Sequence, residues 1–196
     1  YVLGGGEDAS QVAAARELRQ SGALNRAAAR SAAIFAVCAG LQVMGHDFEV
    51  AGSQIEPGLG LLDASTRRRQ PRAVGEVLAE PLNGSPLLTG YENHGGGTAL
   101  GADAQPLARV LAGIGNGAGG PVGDGTEGAV QGNILATYLH GPVLARNPAL
   151  ADRLLSLATG AELQPLETPW VSELRAEREQ YVRSGKLSAE SVRTPR

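Results

Sequence analysis

The stretch Ser31-Ala32-Ala33-Ile34-Phe35-Ala36-Val37-Cys38-Ala39-Gly40-Leu41-Gln42 constrains this chain more than any other. A run of small and apolar residues ends in the only cysteine, a glycine follows two positions later, and the pattern then turns helical. That succession predicts a buried strand, a sharp turn and a helix start. Such a turn holds its central residue in strained backbone geometry and admits only small neighbours, here Ala36 and Gly40, two positions before and after Cys38. A thiol at a helix N-terminus faces the positive end of the helix dipole, which predicts a lowered pKa and a reactive sulfur. A lone cysteine is by itself most often a small buried hydrophobe, so a catalytic role has to be supported from elsewhere in the chain.

At 196 residues the chain is long enough for one domain with a real core. Hydrophobic residues make up 42% and aromatics only 4%, so Ala, Val, Leu and Ile must build that core. The 28 glycines favour tight turns and close backbone approaches over a helical bundle. A net charge of -3 gives no case for nucleic acid or an anionic membrane as the main partner. One cysteine excludes an internal disulfide framework and a cysteine-cluster zinc site. No apolar run reaches membrane-spanning length and no signal peptide is visible, which predicts a cytoplasmic protein without membrane insertion. The chain opens at Tyr1-Val2-Leu3, already inside a strand pattern and without an initiator methionine, as expected of a fragment lacking an earlier strand-helix unit.

Along the chain, Tyr1-Val2-Leu3 runs into Gly4-Gly5-Gly6-Glu7-Asp8, a loop whose backbone N–H groups can face a ligand unobstructed. No GK[ST] follows, so this is not a Walker loop, and the spacing is not that of a dinucleotide fingerprint. A helix over residues 11–20 is expected, capped by Asp8 or Ser10 and ended by Gly22, with a second over residues 24–30. His46 reads as a surface histidine. Arg67, Arg68, Arg69 and Arg72 read as a solvated basic patch, one of which can clamp a carboxylate. Residues 73–79 and 87–90 read as strands. Tyr91-Glu92-Asn93-His94-Gly95-Gly96-Gly97-Thr98 reads as a mobile loop, and residues 113–128 as a flexible glycine-rich connection. Gly132-Asn133 predicts a hairpin turn before a strand over Ile134–Leu139, ended by His140-Gly141-Pro142. A histidine at that strand end shares an edge with Cys38, so His140 is expected to partner the thiol, with His94 as the competitor. A helix is expected over residues 147–159 and another over residues 170–184, with Trp170, Leu174 and Tyr181 available for docking; the last ten residues read as frayed.

A Gly-Gly-Gly loop, a V-C-A-G-L-Q elbow and a T-Y-L-H-G-P strand end, in that order, resemble class I glutamine amidotransferase domains of the branch close to the cobyric acid synthase glutaminases. Gly58-Leu59-Gly60-Leu61-Leu62-Asp63, Arg72-Ala73-Val74-Gly75-Glu76 and Glu92-Asn93-His94-Gly95-Gly96 extend the likeness over most of residues 1–160 and toward the glutaminase subunits of lipid II isoglutaminyl synthases. The resemblance implies an α/β fold with a doubly wound, mostly parallel, flavodoxin-like sheet, followed by a helical tail over residues 161–196. It also implies glutamine hydrolysis by Cys38 and His140 as a catalytic dyad, an oxyanion hole from the backbone of Gly5, Gly6 and Ala39, and substrate contacts from Arg72 and Gln42. No metal or cofactor is implied. Many members of the class carry a glutamate two residues after the histidine, where this chain has Pro142. No ATP-binding motif is visible, so the resemblance implies a heterodimer in which a MurT-like Mur ligase partner uses the ammonia to amidate lipid II in peptidoglycan synthesis. Corrinoid amidation is the alternative within the same family, and a non-catalytic α/β binding module the alternative outside it.

Overall fold

The computed structural model describes residues 1–120, 123–140, 142–166 and 168–184. Gly141 of the His-Gly-Pro motif and the tail beyond residue 184, with the fraying expected there, lie outside the described residues. The chain runs β1 (Val2–Leu3), α1 (Asp8–Ser21), α2 (Ala23–Ala29), β2 (Ile34–Val37), α3 (Ala39–Met44), β3 (Asp47–Val50), β4 (Gln54–Pro57), β5 (Ala64–Pro81) and β6 (Leu88–Leu100). It continues through β7 (Ala108–Ala112), β8 (Thr126–Glu127), β9 (Ala129–Gln131), β10 (Ile134–Thr137), α4 (Val143–Arg146), α5 (Pro148–Thr159) and α6 (Pro169–Arg183).

The first sheet has the order β1-β2-β10-β9. Strands β1, β2 and β10 are parallel, with Leu3 opposite Ala36 and Thr137 opposite Val37. Strand β9 returns antiparallel to β10 across the Gly132-Asn133 turn, as expected. Alternation explains why β2 and β10 are central. Ile34, Ala36, Ile134, Ala136 and Tyr138 enter one apolar core with Leu41, Met44 and Phe48. Phe35, Leu135 and Leu139 enter a second with Val77, Leu88 and Leu150. Burial of one such large apolar side chain stabilises the fold by about 1.5–3 kcal/mol, so strands covered on both faces are secured twice.

The second sheet, of order β4-β3-β5-β7-β8 with β6 paired to β5, was not expected from the sequence as a unit. It is antiparallel except for β3 against β5. The fold is α/β, and the parallel arrangement belongs to the layer that carries the elbow. The arginine run lies within β5, and the expected mobile loop at Tyr91–Thr98 lies within β6. Along β6, Glu92, His94, Gly96 and Thr98 are buried while Tyr91 and Asn93 are exposed, a strand period written in polar residues. The glycine-rich connection before β8 is also less free than expected: Asn116 is fully buried and donates from its amide to Thr126 Oγ1 and the Gly128 carbonyl.

Helix α1 begins one turn earlier than expected. Its N-cap is Glu7, without a side-chain cap, because Asp8 Oδ2 instead accepts from Ala51 N–H and from Arg68. Gly22 ends it at φ 59, the left-handed conformation that releases a helix end. Helix α6 is present, but Trp170, Leu174 and Tyr181 face solvent. Arg175 anchors α6 instead, donating to the Arg146 carbonyl, Asn147 Oδ1 and the Leu87 carbonyl.

Candidate active site

Three adjacent parallel strands end at one edge, and each releases a functional loop there. Strand β1 leads into Gly4–Gly6, β2 into Cys38, and β10 through Tyr138 and Leu139 to His140. Cys38 has φ 56 and ψ −113, outside the helix and strand regions, with its N–H donated to the Thr137 carbonyl at 2.8 Å. Close packing dictates the small neighbours. A Cβ on Gly40 would lie 2.6 Å from the Leu3 carbonyl oxygen, and Ala36 is fully buried. His140 is fixed through its backbone, whose N–H donates to the Tyr91 carbonyl at 2.7 Å.

Cys38 and the His140 imidazole both approach Gly5. A methyl group there would sit 3.7 Å from Cys38 Sγ and 3.8 Å from His140 Cε1. His140 Nε2 is buried without a hydrogen-bond partner, as is His94 Nε2. Burial lowers the imidazole pKa, and the neighbouring His94 and Arg72 lower it further. Burial also pushes the Cys38 thiol above its ordinary value, against the opposing influence of the Ala39 N–H and of Arg72. This corrects the expectation of a thiolate stabilised by a helix dipole. Helix α3 has only six residues, and desolvation outweighs its terminus. Both shifts favour the neutral forms, a thiol and an uncharged imidazole.

The cleft beside Cys38 is lined by Gly6, Ala39, Gln42, Arg72 and residues 93–96. Arg72 is held with its guanidinium on Asn93, donating from Nε to Oδ1 at 2.9 Å and from Nη2 to the carbonyl at 3.1 Å. The other arginines of the run have their own partners: Arg67 pairs with Asp47, Arg68 with Asp8, and Arg69 donates to the Pro71 carbonyl. His46 is on the surface as expected, 3.0 Å from Asp63. Pro142 serves as the N-cap residue of α4. Among the described residues no group of three or more His, Cys, Asp or Glu side chains could hold a metal ion.

Several residues of this region have surroundings that the sequence did not lead one to expect. His94 is 2% exposed, stacked on Tyr138 with ring centroids 3.7 Å apart, and bonded through Nδ1 to the Gly96 carbonyl. A rigid strand carries it, so rigidity does not separate it from His140; His140 approaches the point above Gly5 that Cys38 also flanks, while His94 lines the cleft beside Cys38. Glu92 is buried and accepts from the N–H groups of Ile114 and Gly115. Glu127 is fully buried, accepts from the Thr137 hydroxyl and the Tyr138 N–H, and has its carboxyl pushed up to about 7 by desolvation. It braces the strand end that leads to His140. Tyr138 is signalled by its closeness to His140 in the chain and Glu92 by its place in the Glu92-Asn93-His94-Gly95-Gly96 motif, while Glu127, between Thr126 and Gly128, gives no signal.

The CobB/CobQ-like glutamine amidotransferase domain model matches residues 1–148. The chain is similar to the lipid II isoglutaminyl synthase (glutamine-hydrolyzing) subunit GatD of Staphylococcus aureus, 33% identical over 181 residues that cover 90% of this chain and 71% of that protein. It is similar to the same subunit of Streptococcus pneumoniae, at 33% over 80% of this chain and 59% of that one. A cobyric acid synthase of Sphingopyxis alaskensis is 37% identical over 65% of this chain, but only 24% of the synthase is covered. A crystal structure of a glutamine amidotransferase superposes with a TM-score of 0.61 at 27% identity, covering 82% of this chain and 78% of that one. The family model's match over residues 1–148 takes in the glycine loop, the elbow and the strand-end histidine, and the chain belongs to the CobB/CobQ-like glutamine amidotransferase family.

Proposed function

We propose that this chain is the glutaminase subunit of an amidating enzyme, with Cys38 and His140 as its catalytic dyad. The observation that carries this reading is the approach of both the Cys38 sulfur and the His140 imidazole to one point above Gly5. The neutral imidazole takes the thiol proton as Sγ attacks the side-chain carbonyl carbon of glutamine. The tetrahedral oxyanion is held by the Ala39 N–H and by N–H groups of the Gly5-Gly6 loop. The imidazolium returns the proton to the leaving nitrogen, the C–N bond breaks, and ammonia departs from a glutamyl thioester. Water, deprotonated by the same imidazole, then cleaves the C–S bond and releases glutamate and the thiol. Arg72, oriented by Asn93, grips a substrate carboxylate, and Gln42 lines the pocket. The catalytic domain occupies residues 1–160 and residues 161–196 form its tail.

Similarity to two GatD subunits supports an acceptor in peptidoglycan synthesis. In this reading ammonia passes, in the cytoplasm, to a MurT-like Mur ligase subunit of a heterodimer that amidates the D-glutamate of lipid II. The test supplies the chain and such a partner with ATP and lipid II. Cys38→Ala is expected to abolish amidation from glutamine and to spare amidation from ammonium; undiminished amidation from glutamine would sink the proposal. Similarity to cobyric acid synthases favours a second reading, a glutaminase for corrinoid amidation, and co-purification with a corrinoid synthetase in place of a Mur-like ligase would select it.

A further inference from the structure

Pairing of β10 with β2 ends at Thr137, opposite Val37, and the chain reaches His140 through Tyr138 and Leu139. Side chains meet the backbone donors of that short segment. Tyr138 N–H donates to Glu127 Oε1 at 3.0 Å, and Leu139 N–H donates to Thr137 Oγ1 at 3.0 Å. The Thr137 hydroxyl donates its own hydrogen to Glu127 Oε1. One carboxyl oxygen thus takes donors from two consecutive residues. The same threonine reaches the elbow, because its carbonyl accepts the Cys38 N–H at 2.8 Å. Glu127, Thr137, Tyr138 and Leu139 are all fully buried. Glu127 enters from the other sheet, on its edge strand β8, where it pairs with Ala108 of β7. The backbones there are closely packed: a Cβ on Gly128 would lie 2.3 Å from the Ala136 carbonyl oxygen.

A carboxyl group in this place is unfavourable in itself. Desolvation, with a smaller contribution from Glu92, pushes it up to about 7. An apolar side chain would fill the space without that penalty, but it would leave the Tyr138 N–H and the Thr137 hydroxyl without an acceptor in a dry interior. We infer that Glu127 is a positioning residue for the dyad, reaching across from the second sheet to set both the strand end that carries His140 and, through Thr137, the elbow that carries Cys38. It acts through the backbone on either side of the reacting pair, so its loss displaces both groups and removes neither. A displacement of about 1 Å in such a pair costs on the order of 100-fold in rate. The inference rests on the glutaminase reading and deepens it.

Glu127→Leu removes the acceptor, and Glu127→Gln keeps an oxygen in its place. Both are assayed for ammonia release from L-glutamine with the ligase partner present, and rates are referred to the folded fraction measured by circular dichroism. Glu127→Leu is expected to lower kcat about 100-fold with KM changed less than about threefold, and Glu127→Gln to recover all but about tenfold. Cys38 is the only cysteine, so alkylation by iodoacetamide reports on it without any substrate. Alkylation is expected to slow about tenfold in Glu127→Leu, and adding His140→Gln to that variant is expected to slow it no further. Thr137→Val drops the hydroxyl that Glu127 holds; it is expected to lower kcat in the same way and serves if Glu127→Leu does not fold. An unchanged kcat in Glu127→Leu, or equal losses in the Leu and Gln variants, would overturn the inference and leave the glutaminase reading intact. Wild type that is alkylated at Cys38 but releases no ammonia from glutamine would overturn both.

Discussion

Cys38 is held in a conformation that costs an L-residue about 1–3 kcal/mol, and the structure around it supplies the compensation. Its N–H is bonded to Thr137, its neighbour Ala39 is buried, and the adjoining turn packs on Leu3. Gly5 shows how little room the dyad leaves. An added methyl there meets only ordinary contacts, so Gly5→Ala is expected to fold normally, with melting unchanged by calorimetry. The methyl adds bulk against both the sulfur and the imidazole, and glutamine hydrolysis is expected to fall about 100-fold or more. The pH profile is set by the same two groups. The folded state keeps His140 neutral to lower pH than the ordinary imidazole value of 6.5. The acid limb of kcat/KM is therefore expected below 6.5, and His140→Gln is expected to remove it. Because the unfolded chain binds this proton more readily, the contribution of His140 to stability is complete above 6.5 and is lost as pH falls toward the folded pKa.

At the scale of elements, the sequence was legible where burial is apolar and opaque where it is polar. Strands β2 and β10 announce themselves by alternating small and aliphatic residues, and the helices α1, α2 and α5 by glycine at or just beyond their ends or by apolar spacing. Strand β6 buries Glu92, His94, Gly96 and Thr98, a period that hydrophobicity cannot reveal. The arginines of β5 concealed its continuity with residues 73–79 for the same reason. One buried amide ties β6 to the helical side of the molecule. Asn147 accepts from Thr89 N–H and donates to the Thr89 and Val143 carbonyls, in the manner of an added strand residue. Asn147→Ala strands two polar groups of Thr89 at a site 1% exposed, and is expected to cost about 2–4 kcal/mol in denaturant titration. Asn147→Asp keeps the acceptor for Thr89 N–H but loses the donor, and is expected to fall between.

For the whole molecule, the order of three strand ends matters more than any single motif. The glycine loop, the elbow and the strand-end histidine are far apart in the chain, and parallel pairing of β1, β2 and β10 brings them to one edge. That juxtaposition could be expected from the sequence because each motif closes an apolar strand. The ionisation of the site could not, since it depends on how much of the second sheet covers it. No helix among the described residues is long and apolar enough to cross a membrane. If the chain delivers ammonia to a ligase, its glutamine hydrolysis is expected to rise when that partner and its nucleotide are added. The most direct test is ammonia release from L-glutamine by this chain, with and without a MurT-like partner, comparing wild type with Cys38→Ala. Release that the partner stimulates and that Cys38→Ala abolishes is the expected result. Equal release from Cys38→Ala, or none from folded wild type with its partner, would contradict a glutaminase built on Cys38.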